Sequence, residues 1–421
     1  MNRAAHLTER LPLRWLRAVS AVAQTGSATR AAEPLFRSVS AVSRSLRQAE
    51  QRLGLPLFER GARGMACTPA GRVLALRTHR ALAHLIAAHA EIEKRWGAAG
   101  SGSRPSALER TVTDAMMLSL VAVSGASGES AAAAQLGLSQ SAIHQNLQAL
   151  QRMVATPLFR RSAQGTRLTE AGDCLVRHVK LALGELRIAH EEVATFLGQP
   201  RGELVVGALP MASTALVPQA LSRLLRTQPG VLATVVDGTY ETLLRLLRQG
   251  DVDLMVGPLR GEQSPGDMVE HELFVDSLVA VVRRGHPCAL ADRRLQLGAL
   301  RTATWVAPLP GTPARRAFDG VFAAVGWLPR VCLQANSPSV VRAMLLMGDV
   351  VALLSPQQIK TDVDSGLLEV LPLVLRGTER RIGITLRRDG LPSLACQGLQ
   401  AALQAVGRSW TGIETTGVPD R

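Results

Sequence analysis

Five of the six arginines between residues 37 and 63 of this 421-residue chain are expected on one contact face, where their guanidinium groups can form paired hydrogen bonds with phosphate oxygens. Residues 1–100 hold 16 Lys and Arg against 6 Asp and Glu, so they contribute +10 of the chain's net charge of +14. Such a concentrated basic segment predicts binding to a polyanion such as nucleic acid. The five arginines are Arg37, Arg44, Arg47, Arg60 and Arg63.

Catalytic and metal-binding patterns are absent from the sequence. It has no glycine-rich phosphate loop with its lysine, no metal-spaced His/Asp/Glu cluster and no nucleophile elbow. We therefore expect no enzyme activity, no cofactor and no metal. The five cysteines are scattered and lack CxxC spacing, which argues against a disulfide framework or a zinc site. A redox-sensing pair, Cys288 with Cys332, is the alternative to buried free thiols.

The length and composition indicate a soluble chain of several domains. Hydrophobic residues make up 47% and charged residues 19%, as is typical of globular proteins. No apolar run reaches the roughly 18 residues that a membrane span needs. Charges at Glu9, Arg10, Arg14 and Arg17 interrupt the N-terminus, which is unlike a secretory signal, so we expect a cytoplasmic location.

A short phrase, PLFER at 56–60, recurs as PLFRR at 157–161. Sliding the chain by this offset of 101 residues aligns many further identities without a gap. Such self-similarity predicts a duplicated fold unit. The identical positions include Ala31 and Ala132, Ser38 and Ser139, Leu46 and Leu147, Gly64 and Gly165, and Gly71 and Gly172.

Each unit has the pattern of a winged helix-turn-helix. In the first, an apolar stripe predicts a helix that ends at Gly26, and Ser27 caps a second helix over 28–35, in which Pro34 is expected to cause a kink. Ser38 caps a third helix, which is followed by a glycine-containing hairpin. Pro69 then begins a long helix of about 28 residues.

The motif AAxxLxxSxxAxSxxLxxxExxLGxPLFxRxxxGxxLTxAG resembles the N-terminal DNA-binding domain of LysR-type transcriptional regulators. It occurs twice here, whereas members of the family usually carry one copy. The resemblance implies a multidomain chain, with two winged helix-turn-helix domains and their long linker helices ahead of an effector domain. The implied segments are 1–98 for the first copy, 99–112 for a flexible linker, 113–198 for the second copy, 201–407 for the effector domain and 408–421 for a tail.

In this fold the start of the third helix faces the base edges of the DNA major groove. The resemblance assigns base contacts to Val39, Ser40, Ser43 and Arg44, and in the second copy to Gln140, Ser141, His144 and Gln145. Arg44 suits a guanine edge and Gln140 an adenine edge, although solvation is the alternative for either side chain alone. Because the two sets differ, we expect the copies to read different sequences. Phosphate contacts are expected from Arg47, Arg60 and Arg63 in the first copy and from Arg160, Arg161 and Arg167 in the second.

The long helices carry apolar stripes, in the first copy Leu82, Leu85, Ile86 and Ile92. In the family this helix pairs antiparallel with that of another subunit. Here the two copies could instead pair within one chain and form a pseudo-dimer. A homo-oligomer, either a dimer or a tetramer, is expected.

Short apolar strands alternate with helices from Gly202 onward, which predicts parallel sheets covered on both faces. The order of elements looks like a two-lobed periplasmic-binding-protein fold, as in LysR-type effector domains. Ligands of such folds bind at the carboxyl ends of strands. The candidate effector-binding residues are Ser213, Thr214, Thr239, Gly257, Pro258, Gly311, Thr312, Asn336 and Ser337.

The function expected is sequence-specific DNA binding that a small-molecule effector modulates. The partners are double-stranded operator DNA and the effector, and RNA polymerase is a candidate partner. Two alternatives stay open, a redox- or ligand-sensing module and an architectural DNA binder. For the hydroxyl residues of the effector set, ordinary helix capping is the alternative role.

Overall fold

The computed structural model describes residues 11–61, 64–97, 108–126, 128–162, 165–289 and 296–411. The chain divides into an N-terminal unit, Met1–Gly202 with Gln249–Asp251, and a C-terminal unit, Glu203–Arg248 and Val252–Arg421. Arg63, most of the predicted linker 99–112 and most of the predicted tail 408–421 lie outside the described residues. Within the described ranges, no helix combines the length and hydropathy needed to cross a membrane.

The N-terminal unit contains one order of elements twice. The first series is α1 (Leu13–Thr25), α2 (Ala28–Ala32), α3 (Val39–Leu53), the antiparallel pair β1 (Phe58–Gly61) and β2 (Gly64–Cys67), and α4 (Pro69–Trp96). After the short α5 (Leu108–Thr111), the second series is α6 (Asp114–Gly125), α7 (Glu129–Leu136), α8 (Gln140–Val154), the pair β3 (Phe159–Ser162) and β4 (Gly165–Leu168), and α9 (Glu170–Thr195).

Serine caps define where α3 and α8 begin, as the sequence predicts. The Ser38 hydroxyl accepts a hydrogen bond of 3.2 Å from the Ala41 N–H, and Ser139 does the same for Ala142. Such a bond satisfies one of the N–H groups that a helix leaves unpaired at its start. α1 ends at Gly26, whose φ of 67° lies in the left-handed region.

The second helix of the first series is shorter than predicted. α2 ends at Ala32, and Pro34 lies in the turn beyond it rather than kinking a helix over 28–35. Proline lacks an N–H, so residue 34 cannot donate the hydrogen bond to the Arg30 carbonyl that would continue the helix. The turn continues through Phe36, which has a φ of 53° where the second series has Gly137 with a φ of 64°.

The repeated phrase has a structural basis at the start of α4. The Thr68 hydroxyl donates to the Pro56 carbonyl at 2.8 Å and accepts from the Gly71 N–H at 3.0 Å. A Cβ on Gly71 would lie 2.0 Å from the Leu57 carbonyl oxygen, so glycine is required there. The second series repeats these contacts with Thr169, Pro157, Gly172 and Leu158.

The long helices α4 and α9 pack against each other within the N-terminal unit. Leu85, Ile92, Leu186 and Val193 are buried in one continuous core with the helices of the two series. Ile86 was expected in the buried stripe but is 52% exposed, so that assignment was wrong.

The C-terminal unit consists of two five-stranded sheets with helices around them. The first sheet has the strand order β6 (Val231–Asp237), β5 (Gly202–Ala208), β7 (Leu254–Pro258), β14 (Arg380–Arg387), β8 (Met268–Asp276). The second has the order β11 (Arg330–Gln334), β10 (Thr304–Ala307), β12 (Val350–Leu354), β9 (Val279–Arg283), β13 (Leu368–Val370). The helices are α10 (Pro210–Thr214), α11 (Leu216–Thr227), α12 (Tyr240–Gln249), α13 (Pro313–Val325), α14 (Pro338–Met347), α15 (Pro356–Asp364) and α16 (Leu394–Thr411).

Both sheets are mixed, which corrects the expectation of parallel sheets. β14 pairs antiparallel with β7 and β8, and β9 pairs antiparallel with β12 and β13. The antiparallel strands arise where the chain crosses from one lobe to the other and later returns through β14, so they run against the βαβ direction. This last strand and α16 both pack in the first lobe.

Candidate nucleic-acid and effector sites

The predicted base-reading residues of the first copy lie on the outer side of α3. Ser40 and Arg44 are exposed, Val39 is 41% exposed and Ser43 is half-buried. The opposite side of α3 is fixed because Val42, Leu46 and Ala49 are buried in the core. Hydrophobic anchoring of one face therefore presents the other face to solvent.

Arg44 and Arg47 are both exposed, and neither has a hydrogen bond or ion pair with another described residue. Arg37 is exposed in the turn before α3. This half of the unit thus presents arginines that no neighbouring acid neutralises, which suits contact with phosphate.

The matching residues of α8 are exposed but partly engaged. The Ser130 hydroxyl donates to the Gln140 side-chain oxygen at 3.0 Å. His144 Nδ1 lies 3.2 Å from a Glu129 carboxylate oxygen, and its Nε2 lies 2.8 Å from the Gln148 side chain. Ser141 and Gln145 are also exposed.

Glu129 adds a negative charge beside α8 that the first copy lacks. At the offset of 101 residues, Ala28 stands where the second copy has Glu129. A carboxylate at this place repels phosphate and lowers the positive potential beside α8.

Apart from Arg63, the arginines that were predicted to contact phosphate from the hairpins lie in β1, β3 and β4. Arg160 and Arg167 face each other across the β3–β4 pair, and both are exposed. Arg60 lies in β1 and Arg161 in β3, but their side chains lie outside what the structure describes.

Three hydrogen bonds join the two series near the start of their first helices. The Leu13 N–H donates to an Asp114 carboxylate oxygen at 3.0 Å. Arg17 donates to the carbonyls of Glu109 and Val112, both at 2.7 Å. Burial lowers the pKa of Arg17 to about 10 although Asp114 opposes this shift, so the guanidinium stays charged at neutral pH.

Buried ion pairs join α4 to α9. Arg77 is 2% exposed and donates to Glu185 at 3.0 Å and to Glu192 at 2.6 Å, while Arg80 donates to Glu185 at 2.8 Å. Burial alone would lower the pKa of Arg77, but the carboxylates of Glu192 and Glu185 raise it overall. Arg177 of α9 pairs with Glu91, farther along α4, at 2.7 Å, so the helices run antiparallel.

These contacts come in pairs related by exchange of the two series. At the offset of 101 residues, Arg77 corresponds to His178 and Glu91 to Glu192. Arg77 contacts Glu192, and His178 contacts Glu91 with 3.2 Å between Nε2 and the carboxylate. Reciprocal contacts of this kind are the signature of an isologous interface with two-fold symmetry.

The hydroxyl residues predicted to bind an effector make local hydrogen bonds. Thr312 accepts from the Arg315 N–H at 3.1 Å and thereby caps α13, and Asn336 accepts from the Leu309 N–H at 3.0 Å. Capping, the alternative role, therefore accounts for part of this set. The other local bonds are those of Ser213 to Pro210, Thr214 to Met211, Thr239 to Thr242, and Ser337 to Ser339.

Gly257 and Pro258 end β7 and lead into a loop that reaches the second lobe. Gly257 has a φ of 154°, and a Cβ there would lie 2.6 Å from Leu209 Cβ. Beyond them, Arg260 Nη1 lies 3.5 Å from the Gly311 carbonyl oxygen. This contact places the loop after Pro258 next to Gly311 of the second lobe.

Three polar residues near the loop after Pro258, namely Tyr240, Arg260 and Ser264, were not predicted from the sequence. The guanidinium carbon of Arg260 lies 4.1 Å from the ring centre of Tyr240. The Tyr240 hydroxyl, Arg260 Nε and the Ser264 hydroxyl are buried, with no hydrogen-bond partner in the described ranges. Glu270 holds the loop by accepting from the Arg260 and Gly261 N–H groups, each at 3.0 Å. Buried polar atoms without partners are costly unless a ligand or water satisfies them.

The cysteines are free thiols in the structure. Burial raises the pKa of Cys67, Cys174 and Cys288, and it raises that of Cys396 to about 12. A raised pKa lowers the thiolate fraction and hence the reactivity. Of the predicted redox pair, Cys288 is half-buried and Cys332 is exposed, and both are free in the structure.

A helix-turn-helix unit and a two-lobed α/β unit in one chain define a ligand-responsive DNA-binding regulator. A family model described as "LysR substrate binding domain" matches residues 197–408. A second, "Bacterial regulatory helix-turn-helix protein, lysR family", matches residues 13–72 and 116–173. The chain belongs to the LysR family of DNA-binding transcriptional regulators, whose members carry an effector-binding domain.

Relatives with assigned names are transcriptional regulators. The chain is 34% identical over 392 residues to the HTH-type transcriptional regulator GalR of Pseudomonas putida, covering 93% of this chain and 96% of that protein. It is 29% identical over 287 residues to PcaQ of Agrobacterium fabrum, covering 67% and 91%. A full-length OxyR variant from Pseudomonas aeruginosa has the same fold, with a TM-score of 0.55 and 20% identity over 69% of this chain and 94% of that one.

Proposed function

We propose that this regulator reads a bipartite operator with two unequal DNA-binding heads supplied by one chain. The observation that carries the proposal is the reciprocal set of contacts between α4 and α9, in which Arg77 with Glu192 mirrors His178 with Glu91. In the family these helices pair between subunits. Here both helices belong to one chain.

Two comparisons support a second helix-turn-helix copy. The family model for this domain matches two separate segments, 13–72 and 116–173. The alignment with GalR covers 93% of the chain and leaves roughly 29 residues outside it. Each matched helix-turn-helix segment is longer than that, so the alignment includes at least part of both segments. We therefore propose domains at 1–98, 113–198 and 201–407.

The two heads are proposed to contribute unequally. Arg44 and Arg47 are exposed and have no partner among the described residues, which makes the first head the stronger phosphate and base reader. In the second head, His144 and Gln140 are held by Glu129 and Ser130, and the Glu129 carboxylate opposes phosphate binding.

The effector is proposed to be a small acidic molecule bound between the lobes of the C-terminal unit. Arg260 supplies positive charge there, and Tyr240 and Ser264 supply buried hydroxyls without a hydrogen-bond partner in the described part of the chain. A carboxylate would satisfy these donors together. The loops of Gly257, Gly311 and Thr312 surround the same place.

The test uses the full-length chain and the intergenic DNA upstream of its own gene. Gel-shift titration and footprinting should show protection of two unlike half-sites by one chain, with a footprint that acidic metabolites alter. Scrambling the half-site read by α3 should weaken binding more than scrambling the other. Salt-sensitive binding that is indifferent to sequence would instead identify an architectural DNA binder.

A matched pair of variants tests the effector site. Arg260→Gln should abolish the response to the metabolite while leaving DNA binding in its absence unchanged. Thr227→Ala removes a hydroxyl at the end of α11 that donates to the Leu224 carbonyl and should keep the response. If Arg260→Gln responds normally, the effector binds elsewhere.

A further inference from the structure

Three metal-ligating side chains meet between α4 and α9. Glu91 comes from α4, whereas Cys174 and His178 come from α9, and their ligand atoms all lie within 4.8 Å of one another. Cys174 is 6% and His178 8% exposed. A buried thiol and a buried imidazole beside a carboxylate that is 25% exposed are unusual unless they share a partner.

The spacing on α9 suits a bound ion. Residues four apart on a helix lie on the same face, one turn apart, so Cys174 and His178 both point toward α4. There the Glu91 carboxylate oxygen lies 3.2 Å from His178 Nε2. A tetrahedral zinc ion places its nitrogen, oxygen and sulfur ligands about 3.3–3.8 Å from one another, which these side chains can reach by small rotations.

The equivalent position, related to the cluster by the approximate two-fold symmetry of α4 and α9, has different side chains. At the offset of 101 residues, Val73 corresponds to Cys174 and Arg77 to His178. Arg77 there donates two hydrogen bonds to Glu192, at 3.0 and 2.6 Å, and completes an ordinary ion pair. Only the Glu91 side combines a thiol, an imidazole and a carboxylate.

A positive charge already marks the centre of the cluster. Arg177 Nη2 lies 2.7 Å from the Glu91 carboxylate, 3.4 Å from His178 Nε2 and 3.8 Å from Cys174 Sγ. One nitrogen thus lies within reach of all three donor atoms, where a cation would bind. The Arg177 side chain is 35% exposed, so it can turn out to solvent and leave this place to a metal ion.

We infer that Glu91, Cys174 and His178 form a binding site for a divalent transition-metal ion of the zinc class, which displaces the Arg177 guanidinium. Thiolate, imidazole and carboxylate are the ligand types that zinc prefers, and water completes the fourth position. On binding, the Cys174 thiol loses its proton to solvent and a sulfur–metal bond forms. The ion then links α4 to α9 and stabilises their pairing.

The experiment titrates the chelator-stripped full-length protein with Co²⁺, whose thiolate complexes absorb in the near ultraviolet, and with Zn²⁺ by calorimetry. One equivalent should bind with a sulfur-to-cobalt charge-transfer band, and the unfolding temperature of the N-terminal unit should rise. Cys174→Val, which introduces the residue found at the matching place, should lose the band. Cys332→Ser, which changes an exposed thiol elsewhere, should keep it.

Two further variants keep the test decisive if Cys174→Val folds poorly. Glu91→Gln keeps the shape of the side chain and should weaken binding about 10- to 100-fold, a typical loss when a metal site is impaired. Arg177→Gln removes the competing positive charge and should bind Co²⁺ more tightly than the natural chain. A charge-transfer band that survives in folded Cys174→Val would overturn the inference. So would the absence of stoichiometric binding in both the natural chain and Arg177→Gln.

Discussion

The Leu13 N–H donates a hydrogen bond to the Asp114 carboxylate, and these two residues occupy the same position in their respective series. Residues that correspond to each other can touch only near a two-fold axis. The contact therefore agrees with the reciprocal pairs along α4 and α9. Together they describe two segments of one chain that associate as two identical subunits would.

Breaking the buried ion pair between the long helices should be costly. Arg77→Ala leaves Glu192 without its partner and Glu185 with Arg80 alone, so the free energy of unfolding should fall by about 3–5 kcal/mol. Urea denaturation followed by circular dichroism would measure this. Arg95→Ala removes an arginine that is 62% exposed and should cost less than about 1 kcal/mol. Equal effects of the two variants would refute the assigned role of Arg77.

Left-handed backbone at the ends of α3 and α8 gives a second prediction. Gly54 ends α3 with a φ of 69°, whereas Ala155 ends α8 with a φ of 51°. Ala155→Gly should raise the free energy of unfolding by about 0.5–1 kcal/mol, because the strain of alanine in this region exceeds the entropic cost of glycine. Gly54→Ala should lower it by a similar amount, since nothing lies within 4 Å of the added Cβ. The same sign for both changes would contradict the argument.

The repeated glycine at the start of the long helix should not tolerate a side chain. In Gly71→Ala the new Cβ would lie 2.0 Å from the Leu57 carbonyl oxygen, so the start of α4 must shift and the unfolding temperature should fall. Gly184→Ala is the matched control in the interior of α9, where nothing lies within 4 Å. There alanine should stabilise the helix by about 1 kcal/mol. Differential scanning calorimetry separates the two results by their sign.

Acidification should destabilise the C-terminal unit through His286. Burial lowers the pKa of His286 below 6.5, and nearby Asp349 only partly opposes this. The unfolded chain then binds a proton more readily than the folded one, so stability is lost as the pH falls through about 6.5. The unfolding temperature should decline between pH 7.5 and 5.5, and His286→Gln should flatten this decline. His271→Gln, at an exposed position on β8, should leave the slope unchanged.

The unequal heads give a prediction for DNA binding. Arg44→Ala should weaken operator binding by about 1–3 kcal/mol, the usual value of a base contact made through two hydrogen bonds. Gln145→Ala should lose less, and Glu129→Gln should strengthen binding because it removes a negative charge beside α8. Titration at fixed salt with fluorescent operator DNA would measure all three. Equal losses for Arg44→Ala and Gln145→Ala would contradict the asymmetry.

Local signals predicted the helix-turn-helix elements well, because caps such as Ser38 and stops such as Gly26 act within a few residues. The antiparallel strands β8 and β13 were not predicted, since their partners lie far along the chain. The cluster at Arg260 and Tyr240 was also missed. It depends on a loop position that no short pattern encodes.

The cluster of Glu91, Cys174 and His178 also could not be predicted from the spacing of residues in the sequence. A search for metal sites by spacing finds only ligands close together in sequence, whereas Glu91 and His178 are 87 residues apart. Antiparallel pairing of α4 with α9 brings them together. That pairing depends on tertiary contacts, such as those of Arg77, that become visible only once the helices are placed.

Pairing of α4 with α9 inside one polypeptide also affects how the two segments can mutate and whether they can exchange between chains. When two heads belong to separate identical subunits, one codon specifies both, and subunits can exchange with those of a related regulator in the same cell. When both heads belong to one chain, separate codons specify them, and neither head can be exchanged for that of another chain. If both heads bind DNA as proposed, each can adapt to its own half of the operator without exchange with the chains of related regulators.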